Sequence, residues 1–269
     1  MKKFAKYLIA GACGVALVAG CLGIAGCGSS NDSTSSDNKA AADYTLVKDG
    51  TLTIGTSPDF PPFENLEDGK VVGFDIALGE AIAQNLGLEF DTATIQFDGI
   101  IPALVAGGQC DVGLSGLSVD PEREKQVDFT ESYYIDDQAI AVLKDGKIAS
   151  DKDLNAKGIV IAVQTGTTGE DFAKENYSKA TVKGYGNSTD AFAAMEAGKA
   201  DAVITNKAVV ESSLSAYSDA EVLKTFATGE EYAIAVSKDN PKLTEAINGA
   251  IEALKADGTI EKLQAEYLG

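Results

Sequence analysis

The chain has 269 residues, with 41 acidic against 22 basic side chains, a formal net charge of −19 and no His. A field of that sign repels phosphate backbones and excludes nucleic acid as a natural partner. The lack of His removes the commonest metal ligand and general base, which narrows the room for acid–base chemistry; no metal and no cofactor is expected.

Lys2, Lys3 and Lys6 make a basic start, and Tyr7 to Gly26 then run uncharged and largely apolar. This is the pattern of a secretory n-region and h-region, so residues 1–26 are expected to be a signal peptide. Small residues precede two cysteines, in Val18-Ala19-Gly20-Cys21 and Ile24-Ala25-Gly26-Cys27, and both segments resemble the bacterial lipobox, whose Cys becomes diacylated. Cys27 is preferred because a polar tract opens directly after it, with Cys21 as the alternative; a membrane-spanning helix is the competing reading of the stretch. Two acyl chains suffice for stable anchoring, here at the outer face of the cell membrane, on its extracellular or periplasmic side. Residues 27–43 hold no large apolar side chain and read as the lipidated Cys followed by a flexible tether. Taking the three leader lysines from −19 leaves a mature chain near −22, a charge that serves solubility. Cys13 falls in the leader, so Cys110 is the one Cys of the folded region, expected to be buried and structural, without a disulfide framework.

From Tyr44 onward short apolar runs alternate with amphipathic ones. Leu52-Thr53-Ile54 reads as a strand ending at the turn-rich Ser57-Pro58-Asp59-Phe60-Pro61-Pro62. Asp75 is expected to cap a helix through Ile76, Ala81, Ile82 and Leu86. A strand over Leu88 to Ala93, a helix from Asp98 to Gly107-Gly108 and a short strand at Val112 to Leu114 follow. Pro121 suits a first helical turn after Asp120. Ser132 to Asp137 then reads as a crossover into a second series, with a return near Gly229-Glu230-Glu231. That series has strands at Gln138–Leu143, Gly158–Val163, Thr181–Tyr185 and Ala200–Ile204, and helices at Glu170–Glu175, Thr189–Ala197 and Lys207–Tyr217. A strand over Tyr232 to Val236 and helices over Pro241–Ala256 and Thr259–Leu268 close the chain. Alternating strands and helices predict α/β lobes with largely parallel sheets.

In such sheets small ligands lie at the carboxyl ends of strands, where helix N-termini present N–H groups to anions. Leu114-Ser115-Gly116-Leu117-Ser118 and Gln164-Thr165-Gly166-Thr167-Thr168 both follow a strand and precede a helix. Arg123, the only Arg of the chain, comes shortly after the first loop, and its planar fork suits a carboxylate.

Gly73-Phe74-Asp75-Ile76, Ser118-Val119-Asp120-Pro121-Glu122-Arg123, Val127-Asp128-Phe129-Thr130 with Tyr133-Tyr134, the Gln164–Thr168 loop and Ala256-Asp257-Gly258-Thr259 stand in one order along the chain. This combination, from about Leu52 onward, resembles the family-3 bacterial extracellular solute-binding proteins, the polar-amino-acid binders that serve ABC importers. The resemblance implies a two-lobed, type II periplasmic-binding-protein-like α/β fold. Lobe one would be 44–135 with 230–269 and lobe two 136–229, each a sheet flanked by helices. It also implies a monomer without enzymatic activity that delivers an amino-acid-like ligand to a membrane permease.

Position by position, the resemblance has Phe60 and Phe97 sandwich the ligand, and Ser115, Gly116 and Ser118 hold it through backbone and hydroxyl groups. Arg123 would pair with its α-carboxylate, helped by the Thr168 N–H, with Gln164 and Thr167 in the same second-lobe loop. Two positions depart from the family pattern. Asn206 stands where an Asp usually holds the α-ammonium, and Glu64 or Glu231 is the expected substitute. Ser57 stands where binders of basic side chains tend to have Asp, which argues against Arg, Lys or ornithine. Some dehydratases of cyclohexadienyl acids share the scaffold and need no ammonium clamp; a binder of carboxylates lacking that group is a further alternative.

Overall fold

In the computed structural model, which describes residues 43–269, the alternation of strands and helices resolves into two five-stranded sheets. The expected leader, Cys21, Cys27 and all of the tether but Asp43 lie outside the described residues. Among the described residues no helix is long and apolar enough to cross a membrane.

The chain opens with β1 (Thr51–Thr56), the short strands β2 (Asp59–Phe60), β3 (Glu64–Glu67) and β4 (Lys70–Val72), and helix α1 (Phe74–Leu86). Next come β5 (Glu89–Thr94), α2 (Phe97–Ala106), β6 (Val112–Gly113), the single turn α3 (Pro121–Glu124) and β7 (Val127–Phe129). The second series is β8 (Tyr134–Leu143), β9 (Val160–Gln164), α4 (Thr168–Asn176), β10 (Thr181–Tyr185), α5 (Ser188–Glu196), β11 (Ala202–Asn206), α6 (Lys207–Ser213) and β12 (Ala220–Tyr232). Then β13 (Ala235–Ser237), α7 (Pro241–Ala256) and α8 (Thr259–Tyr267) return to the first.

The first sheet runs β5-β1-β6-β13-β7 and the second β10-β9-β11-β8-β12. In each, a parallel trio (β5, β1, β6; β10, β9, β11) is extended by an antiparallel strand, β13 or β8. Both reversed strands are contributed by the chain just after it changes lobes. β1 is buried along its whole length, as a parallel strand covered on both faces requires. The crossing segments pair with each other, Tyr134 with Tyr232, Ile135 with Glu231 and Asp136 with Glu230, so the two lobes hang on an antiparallel ladder.

Three expectations are corrected, and two features were not foreseen. β12 was not anticipated, and the run Tyr232 to Val236 is two strands in different sheets, because the chain leaves one lobe for the other between them. The helix expected to Tyr217 ends at Ser213. The β2-β3-β4 hairpins were unforeseen. Asp75 is no cap: Gly73 precedes the helix with φ 130, and Asp75 lies in the first turn with its side chain wholly buried.

Candidate functional site

Apart from Arg123, every site residue expected from the sequence lies at or just beyond the carboxyl end of a strand. Ser57 and Phe60 follow β1, Phe97 follows β5, and Ser115, Gly116 and Ser118 follow β6. Gln164, Thr167 and Thr168 end β9 and begin α4; Asn206 ends β11. Three of these five strands belong to the first sheet and two to the second, and the loops meet where the lobes touch.

The loop after β6 is fixed from behind. Ser57 N donates to Ser115 Oγ at 3.0 Å, and that hydroxyl donates to Glu64 Oε1 at 2.8 Å. Gly116 N and Tyr133 OH both donate to Asp75 Oδ2, at 2.7 and 2.9 Å. Glu64 and Asp75 are fully buried, and Glu64 Oε2 and Asp75 Oδ1 have no other partner. Burial raises both acids, Asp75 to about 7 and Glu64 well above the usual carboxylate range, with the neighbouring Asp75 charge adding to the rise at Glu64. Glu64 is therefore a neutral support beneath the loop, and Asp75 titrates near neutral pH. Gly116 is at φ +54, and a Cβ there would stand 2.9 Å from the Phe60 ring, which covers the loop.

Arg123 is placed by α3, whose first turn is capped by Asp120 Oδ1 accepting from Glu122 N and Arg123 N, with Pro121 at the first position. Between Glu122 and Glu124 it looks like a solvated residue, yet it is 8% exposed. Its Nη1 donates to Ser118 O at 2.6 Å, Nη2 to Gly166 O of the other lobe at 3.0 Å, and Nε pairs with Asp120 at 2.9 Å. The guanidinium lies 5.3 Å from the centre of the Phe97 ring, a cation–π distance. Phe60 packs instead on Phe63, at 6.0 Å between centroids.

From the second lobe, Thr167 caps α4 by accepting from Glu170 N at 3.1 Å and donates to Gln164 O at 2.8 Å. Gly166 at φ +78 comes so close to α2 that a Cβ would stand 2.9 Å from Asp98 Cβ. Two carboxylates bridge the lobes. Asp59 accepts from Ser57 Oγ at 2.8 Å, from Gln164 Nε2 at 3.1 Å and from Ser188 N, and burial raises its pKa. Glu230 Oε2 accepts from Ser118 Oγ and Thr168 Oγ1, both at 2.7 Å, and from Asn206 Nδ2 at 3.2 Å; Oε1 accepts from Gln138 Nε2 at 2.7 Å.

The expected partners of Asn206 are thus displaced by one. Glu64 is committed beneath Ser115, and Glu231 is exposed, with its carbonyl accepting from Val119 N. Glu230 is the acid beside Asn206. Strand parity was the signal that could have found it: Glu230 shares a face with the fully buried Tyr232, whereas Glu231 points the other way. Asp59 and Gln138 were missed too, the first as a turn residue, the second as the start of an apolar run. Cys110 is buried against Gly55, and burial pushes its thiol up to about 11, so it is structural as expected.

The arrangement offers a buried cation, hydroxyl and amide donors from both lobes and aromatic cover. The chain matches the family described as bacterial extracellular solute-binding proteins, family 3, over residues 52–269. It is 34% identical over 272 residues to the arginine-binding extracellular protein ArtP of Bacillus subtilis (strain 168), covering 99% of this chain and 98% of that protein. Among solved structures it is similar to an ancestral arginine-binding protein bound to arginine, at 40% identity and a TM-score of 0.77 over 82% of this chain and 99% of that one. It is likewise similar to the ancestral amino acid-binding protein AncCDT-1, a precursor of cyclohexadienyl dehydratase, at 38% identity and a TM-score of 0.77 over 82% and 96% of the two chains. A match over most of the chain, the two-lobed α/β architecture and the convergence of both lobes' loops on Arg123 make this chain a member of the family-3 bacterial extracellular solute-binding proteins.

Proposed function

We propose that the protein captures an α-amino acid between its lobes outside the membrane and presents it to an ABC permease, without chemistry on the ligand. The observation that carries this reading is Arg123, a nearly buried guanidinium held at the junction of the two lobes by carbonyls from each. Asp120 occupies only the Nε edge of the guanidinium, and the α-carboxylate of an amino acid fits the Nη edge of its fork. Ser115, Gly116, Ser118, Thr168 and Asn206 complete the polar contacts after the lobes close, and Phe60 and Phe97 cover the carbon chain. Gln164 and Ser57 set the side-chain end of the site through Asp59.

That acid changes the argument about basic ligands. Ser57 itself brings no charge, but its hydroxyl is bonded to the Asp59 carboxylate, so a negative group stands at that end after all. L-Arginine, the ligand named for the relatives, is therefore the first probe, with L-glutamine beside it. The remaining assignments rest on the sequence: a leader over residues 1–26, lipidation of Cys27 or else Cys21, lobe limits at 135/136 and 229/230, and a monomer.

The experiment is a thermal-shift screen against the amino acids and their keto-acid relatives. A ligand that binds only the folded state at a hundred times its Kd adds about 2.7 kcal/mol, a clear rise in the midpoint. No response to any amino acid would overturn the reading. A second reading, a dehydratase, is favoured only by the likeness to AncCDT-1; product formed from prephenate would establish it.

A further inference from the structure

We propose that Glu230 carries the negative charge of the site's ammonium subsite and delivers it through the Asn206 amide, an inference that rests on the amino-acid-binding reading above. Asn206 is 4% exposed at the end of β11, and its Nδ2 donates to Glu230 Oε2 at 3.2 Å. That bond fixes the amide: Nδ2 is spent on the carboxylate, which leaves Oδ1 as the acceptor end. A carboxylate accepting from one end of an amide polarises it and makes the other end a stronger acceptor. An ammonium group donating to Oδ1 would therefore meet a neutral atom backed by a full negative charge.

Glu230 is suited to that task by what surrounds it. Ser118 Oγ, Thr168 Oγ1, Asn206 Nδ2 and Gln138 Nε2 are all neutral donors, and among the described residues no Lys or Arg forms an ion pair with it. Ser118, Asn206 and Gln138 are buried, so the acid is oriented by fixed neutral groups; Arg123 lies within reach of its charge but makes no direct ion pair with it. A partly buried carboxylate whose direct partners are all neutral donors favours a further cation beside it. The ligand's α-ammonium is the cation that the reading supplies. The same geometry explains the residue at 206. An Asp there would set a second carboxylate at hydrogen-bond distance from Glu230, and two such charges resist ionising together. Asn at 206 and Glu at 230 are thus a matched pair, with the charge moved one residue outward from the ligand.

The test is calorimetric titration of the protein with two matched pairs of probes: L-arginine against 5-guanidinopentanoate, and L-glutamine against glutaramate. Each pair differs only by the α-amino group. The native protein should prefer the amino acid in at least one pair. In Glu230→Gln that preference should fall by roughly ten- to hundredfold, the worth of a charge-assisted bond, while binding of the desamino acid is kept. Asn206→Asp alone should gain no more than a few-fold, and Glu230→Gln with Asn206→Asp should regain the preference by returning the charge to position 206. A preference unchanged in Glu230→Gln, or an equal loss for both members of a pair, would overturn the proposal and leave Glu230 as a clasp between lobes only. The unliganded melting midpoint reports whether each variant folds; should Glu230→Gln not fold, Asn206→Leu must lose the preference in its place, and retention there overturns the proposal. A native protein that binds no amino acid at all would overturn the binding reading itself, and this inference with it, before any variant is made.

Discussion

The two loops that meet at the lobe junction are supported in different ways. Behind Ser115 and Gly116 stand the buried Glu64, Asp75 and Tyr133, joined to the loop or to one another by bonds that span 41 to 58 residues of chain. Behind Thr167 stands the start of its own helix, with Thr167 bonded to Glu170 N and Glu170 bonded back to Gly166 N, and only Thr168 is tied farther off, to Glu230 and Gln138. A loop fixed by distant parts of its lobe keeps its form when the lobes separate. A loop fixed by its own helix travels with that helix. The first is built as a ready receptor for the ligand and the second as the part that closes on it, with Arg123 on the receptor side reaching across to Gly166 O.

The largest effect should come from the group that both loops share. Arg123→Ala removes the cation and leaves the facing carbonyls without a donor; loss of one partner of a buried charged pair costs about 2–5 kcal/mol. Titration with whichever amino acid the native protein binds should show a loss of thirtyfold or more, and Arg123→Lys should recover part of it, since charge returns without the fork. Retained affinity in Arg123→Ala would remove the carboxylate subsite from this place.

The support beneath the first loop can be separated from ligand binding by pH. Asp75 is held near 7 by burial, above its ordinary 3.8. The folded chain keeps a proton there that the unfolded chain gives up, so the stability tied to this group is fully present below about pH 4. It is lost as pH rises toward 7, and is flat beyond that. A rise of about three units corresponds to up to about 4 kcal/mol. Asp75→Asn stays neutral and can still accept from Gly116 N, so its stability relative to the native protein should climb from pH 4 to pH 7. Urea midpoints across that range check the sign; a falling difference would mean the acid is ionised in the folded protein.

Two glycines sharpen the contrast further. Gly116→Ala puts a Cβ 2.9 Å from the Phe60 ring at φ +54, within one lobe, and should lower stability by about 1–3 kcal/mol. Gly166→Ala puts its Cβ 2.9 Å from Asp98, across the junction, at φ +78. That clash exists only while the lobes touch, so beyond the cost of its own backbone it should appear as weaker ligand binding. Melting midpoints and affinities for the two variants should rank in opposite orders; the same order in both would dissolve the distinction between receptor and closing loop.

How much of this was legible in the sequence follows from where the information is stored. Capping and periodicity are local, so α1, α2, α7, α8 and the Asp120-Pro121 start of α3 could be read from neighbouring residues. β12 could not, because shifts of register between Val222 and Lys224 and between Phe226 and Glu230 break the alternation that marks a strand. The loops at the strand ends were legible as Gly and hydroxyl clusters, whereas their supports were not. Glu64 and Asp75 stand 51 and 41 residues from the loop residues that they hold and reach them only through the packing of β3 and α1 against the β6 loop, and Asp75 so placed looks from sequence like a helix cap. Glu230 differs from its neighbour Glu231 only in strand parity, which needed the unseen strand to be known.

The smallest effects distinguish the loops most directly, one hydroxyl at a time. Thr167 Oγ1 has its acceptor and donor capacity used within five residues, on Glu170 N and Gln164 O. Thr167→Ala should therefore cost what a helix cap costs, about 1 kcal/mol, with affinity changed by no more than a few-fold. Ser115 Oγ is fully buried between Ser57 N and Glu64 Oε1. Ser115→Ala leaves both of those groups unsatisfied in the interior, at about 1–3 kcal/mol, and loosens the receptor loop, so affinity should fall along with stability. Denaturant midpoints and titrations on the pair decide it: a Thr167→Ala variant that loses affinity as steeply as Ser115→Ala would place Thr167 in direct contact with the ligand, and the second loop would then be a receptor in its own right.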